Sequence, residues 1–278
     1  MYRFDDGASS AYREFARPSI DHWQGVPQII PMERMKAIFV VTAAMAFTLS
    51  PLMTDGFAGF RPDQFPIPQV DPPVQPAGYA FAIWGVIYLW LLAGAVFGLV
   101  KRAETPGWDA MRWPLIVSLV VGAAWIPVAQ MSPLWATVLI WVMLVTALWA
   151  LLSAGEADRI WLRTPIALYA GWLTAASCVA LGLMLAGHGV VSERLAALAM
   201  IVLALVIALV IMVLRGDTPE YAGAVIWALV GVLVANLGTA NWVVLALCAA
   251  GISLLGVSAW QAHAGLSRAE GLNRPDKR

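Results

Sequence analysis

The chain contains 278 residues, of which 61% are hydrophobic and 12% are charged, and its mean hydropathy is +0.77. Soluble domains carry about 25% charged residues, so this composition excludes an ordinary soluble protein and indicates a membrane protein. The 17 basic and 17 acidic residues balance to a formal net charge of zero, and we expect membrane lipids, not nucleic acid, among its partners.

Eight apolar runs along the chain are each long enough to cross about 30 Å of hydrocarbon as a helix. Their apolar residues do not alternate with polar ones, which excludes the strands of a membrane barrel. Helices then remain the way to pair the backbone within lipid. The sequence therefore predicts an all-α, multi-pass membrane bundle whose eight helices span residues 37–53, 79–100, 113–130, 134–153, 165–187, 195–214, 221–237 and 242–260.

Two longer apolar runs are each predicted to form a hairpin of two helices. The run over residues 113–153 is about twice the length that a bilayer needs, but it is interrupted at Ser132 and Pro133, which suit the N-cap and the first position of a helix. The run over residues 221–260 is interrupted near Gly238, which suits a helix C-terminus.

The distribution of basic residues supports eight crossings and gives an orientation. Fifteen of the 17 Lys and Arg residues fall in the aqueous segments that eight alternating helices place on one side. The positive-inside rule assigns that side to the cytoplasm. We therefore expect both termini to be cytoplasmic, in a bacterial cytoplasmic (inner) membrane.

Ionisable side chains are expected only in loops, tails and helix ends. Proton relays and ion-coupled carriers place such groups near the bilayer centre, so an ion-driven transporter is disfavoured. The histidines are peripheral, at His22, His188 and His263, which argues against a histidine-ligated haem. The two cysteines, Cys178 and Cys248, are expected to pack within helices. No catalytic residue and no metal site is predicted, and enzymatic activity is disfavoured.

Rings and small residues recur together on one face of three predicted helices. The spacing i, i+3, i+7 places such residues on a single helix face. Three faces of this kind could enclose a slot for a flat ligand, or they could pack against one another. The residues are Phe81, Trp84 and Tyr88 of the second helix, Ser118, Gly122 and Trp125 of the third, and Tyr169, Trp172 and Ala176 of the fifth.

The connection between the first two helices, residues 54–76, contains six prolines together with Phe57, Phe60 and Phe65. Proline reduces the entropy that a loop loses when it becomes ordered. This segment is therefore predicted either to cover the mouth of the bundle as a lid or to serve as a stiff connector.

Three ordered motifs resemble those of the TspO/translocator protein family, the tryptophan-rich sensory proteins. The second helix opens in the family's manner, and the third and fifth helices carry similar tryptophan motifs. The resemblance covers residues 36–187. The matching residues are Pro76, Gly78, Tyr79, Phe81, Trp84 and Tyr88, then Ala124, Trp125, Ile126 and Pro127, and finally Tyr169, Ala170, Gly171, Trp172 and Ala176.

The resemblance implies a division of the chain and a function. Residues 36–187 would form a five-helix core, with three additional helices over residues 188–260 and cytoplasmic segments at residues 1–35 and 261–278. Family members bind porphyrins and other flat or sterol-like lipophiles within the five-helix bundle. The implied ligand-binding residues are Tyr79, Phe81, Trp84, Tyr88, Trp125, Tyr169, Trp172 and Ala176; no cofactor is obligatory, and a tetrapyrrole is the expected ligand class.

The chain departs from the family at three positions of the implied pocket. Tyr79 stands where the family often has Trp, and Gly122 and Ala180 stand where it often has Asn. Losing both amides removes hydrogen-bonding groups from the pocket. Either the ligand is more apolar than a porphyrin diacid, or polar contacts come from the lid or from side chains such as Tyr88 and Thr174; Tyr79 and Tyr169 are the other candidates.

The leading hypothesis is thus a membrane sensor that binds a flat hydrophobic ligand. Two alternatives remain open: an accessory subunit of a larger membrane complex, and a protein that facilitates movement of the ligand across the membrane. The aromatic residues of the N-terminal 35 residues motivate the first alternative. A homodimer is an alternative to the larger assembly, because small-residue pairs such as Gly94 and Gly98 allow helices to approach closely.

Overall fold

The computed structural model describes residues 31–54 and 57–272, with side chains described as far as residue 261. Within these residues the chain is helical, with eight long helices and no strand. Residues 1–30 and 273–278 of the predicted segments 1–35 and 261–278 therefore lie outside the described residues. The helices are α1 (Met32–Leu49), α2 (Ile83–Lys101), α3 (Arg112–Met131), α4 (Pro133–Ser153), α5 (Arg163–Gly187), α6 (Glu193–Leu214), α7 (Pro219–Ala235) and α8 (Trp242–Leu272).

The helix bounds agree with the predicted apolar runs to within about five residues, except that α8 continues past residue 260 into the predicted segment 261–278. The hairpin between α3 and α4 forms where it was predicted, since the Ser132 side chain accepts a hydrogen bond from the Trp135 backbone amide and Pro133 begins α4. Gly238, between α7 and α8, has a left-handed backbone with φ of +82°. Seven helices are long and apolar enough to span a membrane, and α7 is the shorter one. Its 17 residues extend about 26 Å.

Helix α5 occupies the centre of the bundle. It contacts α2, α4, α6 and α7, and it is buried over most of its surface, whereas the other spanning helices each leave a larger face uncovered. Small residues permit this position. A Cβ atom built at Gly171 would clash with the Tyr221 carbonyl oxygen and lie 2.9 Å from the Ala224 Cβ, so α5 and α7 are in backbone contact there.

The three C-terminal helices belong to the same compact unit as α1 to α5. Helix α7 lies between α5 and α8, and α6 contacts α5, α7 and α8. A buried hydrogen bond of 2.8 Å joins the hydroxyl groups of Thr174 on α5 and Tyr221 on α7. The additional helices are therefore joined to the centre of the bundle and not attached at its edge.

Charged side chains tie the loops together at the end of the bundle where α1 begins, called here the basic end. Arg112 is 1% exposed, and its guanidinium donates to the carbonyl oxygens of Glu33, Ala103 and Arg102. Arg159 binds both carboxylate oxygens of Glu220 at 2.7 and 2.8 Å, which links the α4–α5 loop to α7. The basic end is thus closed by polar bonds.

One ion pair fixes the α4–α5 loop to the end of α2. Arg102 donates to Asp158 at 2.6 and 3.1 Å, and Trp108 Nε1 donates at 3.2 Å. The hydrogen bond from Arg102 is the main cause that holds the pKa of Asp158 below its usual value, and it outweighs the opposing effect of partial burial. The Asp158 backbone is left-handed, with φ of 55°, which Asp and Asn tolerate.

We predict that substitution of Gly171 by Ala weakens the contact between α5 and α7. An added methyl group in a closed interface should lower the free energy of unfolding by about 1–3 kcal/mol. Gly223→Ala on α7 is the matched control, because a Cβ there meets nothing within 4 Å; it should be neutral or stabilise by up to about 1 kcal/mol. Equal unfolding midpoints for the two variants in detergent would contradict this packing.

A second prediction concerns pH. Because the pKa of Asp158 is lowered in the folded state, its stabilisation is present above the pKa of an unfolded aspartate, about 3.9, and is lost as the pH falls through the folded-state value. Asp158→Asn should lower the unfolding temperature near neutral pH and flatten its decline in acid. Thermal unfolding in detergent across this range is the measurement. Asp63→Asn, from the exposed pair with Arg61, is the control, and a decline in Asp158→Asn as steep as in the parent would refute the assignment.

Candidate ligand-binding site

Two adjoining cavities lie at the other end of the bundle, under residues 57–80, which are called here the cap. Cavity A, of about 40 Å³, lies between the cap, α2 and α5. Cavity B, of about 120 Å³, lies between α1, α2, α3 and α4. No charged side chain lines either cavity within the described part of the chain. The residues that line both are Phe57, Phe81, Trp84, Trp125 and Ile140.

Helix α5 provides one wall of cavity A with Trp172 and the small residues that follow it. The Trp172 ring is 2% exposed and meets the rings of Phe81 and Trp84 edge to face, with centroids 5.9 and 6.1 Å away. Its Nε1 is buried and has no hydrogen-bond partner among the described residues. An unpaired buried donor costs about 1–3 kcal/mol of stability.

Helix α2 provides the opposite wall with a stacked pair of rings. Trp84 and Tyr88 lie 5.3 Å apart with an interplanar angle of 18°. Phe47 from α1 meets both edge to face, at 5.9 and 4.9 Å, and also meets Tyr169 at 5.6 Å. Phe47, Trp84 and Tyr88 line cavity B, and Tyr169 lies behind them.

Helix α3 contributes Trp125, whose orientation is fixed by a hydrogen bond. Its Nε1 donates to the Ala136 carbonyl oxygen on α4 at 2.8 Å. One turn earlier, Gly122 leaves room for Phe47, because a Cβ there would lie 2.6 Å from that ring. Gly122 stands where the family often has Asn, and in this chain the Phe47 ring occupies the space that a larger side chain at position 122 would need.

The cap packs its own rings into the site. Phe57 and Phe60 lie edge to face against Trp125, with centroids 4.7 and 6.4 Å away. Gln64 Nε2 donates to the Ala129 carbonyl oxygen at the end of α3 at 2.9 Å, and Phe65 is buried. This placement agrees with the predicted covering segment and not with a connector free of the bundle.

The structure brings together six of the eight residues expected to form the site. Phe81, Trp84 and Trp125 line both cavities, Trp172 and Ala176 line cavity A, and Tyr88 lines cavity B.

Tyr79 and Tyr169 do not line either cavity. Tyr79 lies two residues before Phe81, on the opposite side of the helical turn, and is 45% exposed beside Trp227. Tyr169 is fully buried behind the rings, with its hydroxyl 2.9 Å from the Ser118 Oγ. Thr174 also lines neither cavity, and its hydroxyl is bonded to that of Tyr221.

Several lining residues were not predicted. Gln75 and Pro76 of the cap, Ile140 of α4 and Ala228 of α7 all line cavity A. Gln75 is the one amide side chain among its described lining residues. The sequence signal that could have indicated α7 is its repeated small residues, which include Ala224, Ala228 and Gly231, since such positions allow close approach.

The fold and cavities define a multi-pass helical membrane protein with an enclosed aromatic site at one end. The model of the family described as TSPO-like protein matches residues 65–260, which is more than half of the chain, and the chain belongs to this family. The match begins after α1 and includes α6, α7 and α8, so it extends beyond the range 36–187 in which the motifs lie. Comparisons with curated proteins and with solved structures find no match.

We predict that the two pocket tryptophans respond differently to substitution by Phe. Trp125→Phe removes the hydrogen bond to Ala136, whereas Trp172→Phe removes a donor that has no partner. Both variants lose similar ring area, so Trp125→Phe should be the less stable by about 1 kcal/mol. Chemical unfolding of the two variants in the same detergent measures the difference, and equal stabilities would contradict it.

Proposed function

We propose that this protein binds a flat hydrophobic small molecule between the cap, α2, α3 and α5, and that tetrapyrroles and their precursors are the ligand class to test first. The observation that carries the proposal is the set of aromatic walls around the two cavities, with the unpaired Trp172 N–H among them. Each ring contact contributes about 0.5–1.5 kcal/mol beyond area burial. Three or four such contacts, added to the apolar area that a ligand of porphyrin size buries, would support affinity in roughly the micromolar range.

Binding requires the cap to move. Small-molecule sites usually occupy about 300–1,000 Å³, whereas the cavities of about 40 and 120 Å³ are far smaller. Phe57 lines both cavities and lies against Trp125, so its withdrawal would join them. In the proposal, the rings of Phe57 and Phe60 occupy the space that the rings of a ligand take over.

The polarity of the walls restricts how a porphyrin could bind. Burying an ionised carboxylate without a partner is costly, and the described walls carry no cation. A porphyrin would therefore insert its macrocycle and keep its carboxylates at the mouth. A neutral lipophile with a hydrogen-bond acceptor could enter completely.

The proposed orientation places the basic end in the cytoplasm of a bacterial cell and the cap on the outer side of its cytoplasmic membrane. Lys36, Arg102, Arg112, Arg159 and Arg215 all lie near the basic end, as the positive-inside rule requires of a cytoplasmic side. A ligand would then enter from the outer side or from the outer leaflet.

Titration with protoporphyrin IX tests the proposal. We predict saturable binding by the parent in lipid nanodiscs and at least about tenfold weaker binding by the double variant Trp84→Ala/Trp172→Ala, because two ring contacts are lost. The readout is the absorption of the porphyrin, since fluorescence quenching changes when tryptophans are removed.

The matched control is Trp135→Ala/Trp149→Ala on α4, where both rings are more than half exposed. This control should bind as the parent does. Failure of the parent to saturate would reject protoporphyrin as a ligand, and equal binding by parent and pocket variant would reject the site.

A further inference from the structure

The C-terminal part of the cap, residues 73–80, is attached to α7. Asn236 Nδ2, directly after α7, donates to the Pro73 carbonyl oxygen at 2.9 Å. The Ala77 amide donates to the Gly231 carbonyl oxygen at 3.0 Å, and Trp227 Nε1 donates to the Ala80 carbonyl oxygen at 2.8 Å. The stretch therefore runs antiparallel to α7 over its last turns.

The contact between these two segments is close. A Cβ atom at Gly231 would lie 2.9 Å from the Cβ atoms of both Pro76 and Ala80, so a larger residue at position 231 would push the stretch away. Asn236 is 2% exposed, and its Oδ1 also accepts a hydrogen bond from Asn241 Nδ2 at 3.1 Å. Its amide is thus held in the orientation that reaches Pro73.

The N-terminal part of the cap, residues 57–64, is held differently. Its contacts with the bundle include the edge-to-face contacts of Phe57 with Phe81 and of Phe57 and Phe60 with Trp125, and the hydrogen bonds of Gln64 to α3. Its contact with the rest of the cap includes Gly59, which lies against the Gln75 side chain. No hydrogen bond joins it to α7 within the part of the chain that the structure describes. The N-terminal part therefore carries the rings that fill the site, and the C-terminal part carries Gln75 and Pro76 as a wall.

We infer that α7 is a functional part of the binding site, holding residues 73–80 as a fixed wall so that ligand entry displaces residues 57–64 alone. This inference rests on the proposed function. Ala228 supports it, because it places α7 itself in the lining of cavity A together with Gln75 and Pro76. Trp227, Gly231 and Asn236 are then positioning residues of the site, and Ala228 limits the size of ligand that cavity A accepts.

Hydrogen exchange of the protein in nanodiscs tests, without a ligand, whether α7 holds residues 73–80 in place. In the parent, amides of residues 74–81 should exchange at least about tenfold more slowly than those of residues 57–65. The double variant Trp227→Phe/Asn236→Ala should reduce this difference, because it removes two of the three hydrogen bonds and leaves that of the Ala77 amide to Gly231. Trp242→Phe on α8, where the ring is 74% exposed, is the control and should leave exchange unchanged.

Equal exchange rates of residues 57–65 and 74–81 in the parent would overturn the inference. Unchanged exchange rates in the double variant would also overturn it. If the double variant does not fold, Trp227→Phe alone gives the same comparison with one hydrogen bond removed.

Protoporphyrin IX binding tests whether α7 forms part of the binding site. Ala228→Leu fills cavity A and should weaken binding at least about tenfold while exchange of residues 74–81 is unchanged. Ala235→Leu, at the exposed last residue of α7, is the matched control. An unchanged affinity of Ala228→Leu for protoporphyrin IX would show that α7 is not part of the binding site. If the parent binds no porphyrin, the proposed ligand fails, whereas the exchange experiment still decides whether α7 holds the wall.

Discussion

The central position of α5 is the constraint on which the rest of the molecule depends. Its small residues let α7 approach to backbone contact at Gly171, and the ring of Trp172, one residue later, faces the aromatic residues of α2. The same helix therefore joins the C-terminal helices to the bundle and forms a wall of the site. Lipid offers little hydrophobic drive for helix association, so this close packing is what holds the bundle together.

The helices could be predicted from the sequence because each apolar run must match the thickness of the membrane and pair its own backbone. The two hairpins could be predicted because Ser132 and Pro133 favour the start of a helix and Gly238 favours the end of one. The ring-bearing faces of α2, α3 and α5 were also predictable, since helical spacing alone places Phe81, Trp84 and Tyr88 on one side.

The contents of the site could not be predicted in the same way. Tyr79 and Tyr169 differ from the other rings through tertiary packing: one lies beside Trp227 and the other behind Phe47. Cavity size depends on where Phe57 and Phe60 lie, which no helical period determines. The contribution of α7 was missed because its polar residues are few, and each of them also suits a helix end or a membrane interface.

Non-helical backbone near a membrane is tolerated only where its polar groups are paired within protein. Residues 73–80 accompany α7 from Asn236 back to Trp227, about 14 Å along the helix axis, and a 3₁₀ turn begins in this stretch at Gly78. Pro73 and Pro76 have no amide hydrogen, and the amide of Ala77 is paired with α7. A proline-rich composition thus reduces the number of donors that must be paired beside α7, which lets residues 73–77 follow the last turns of that helix without forming a helix themselves.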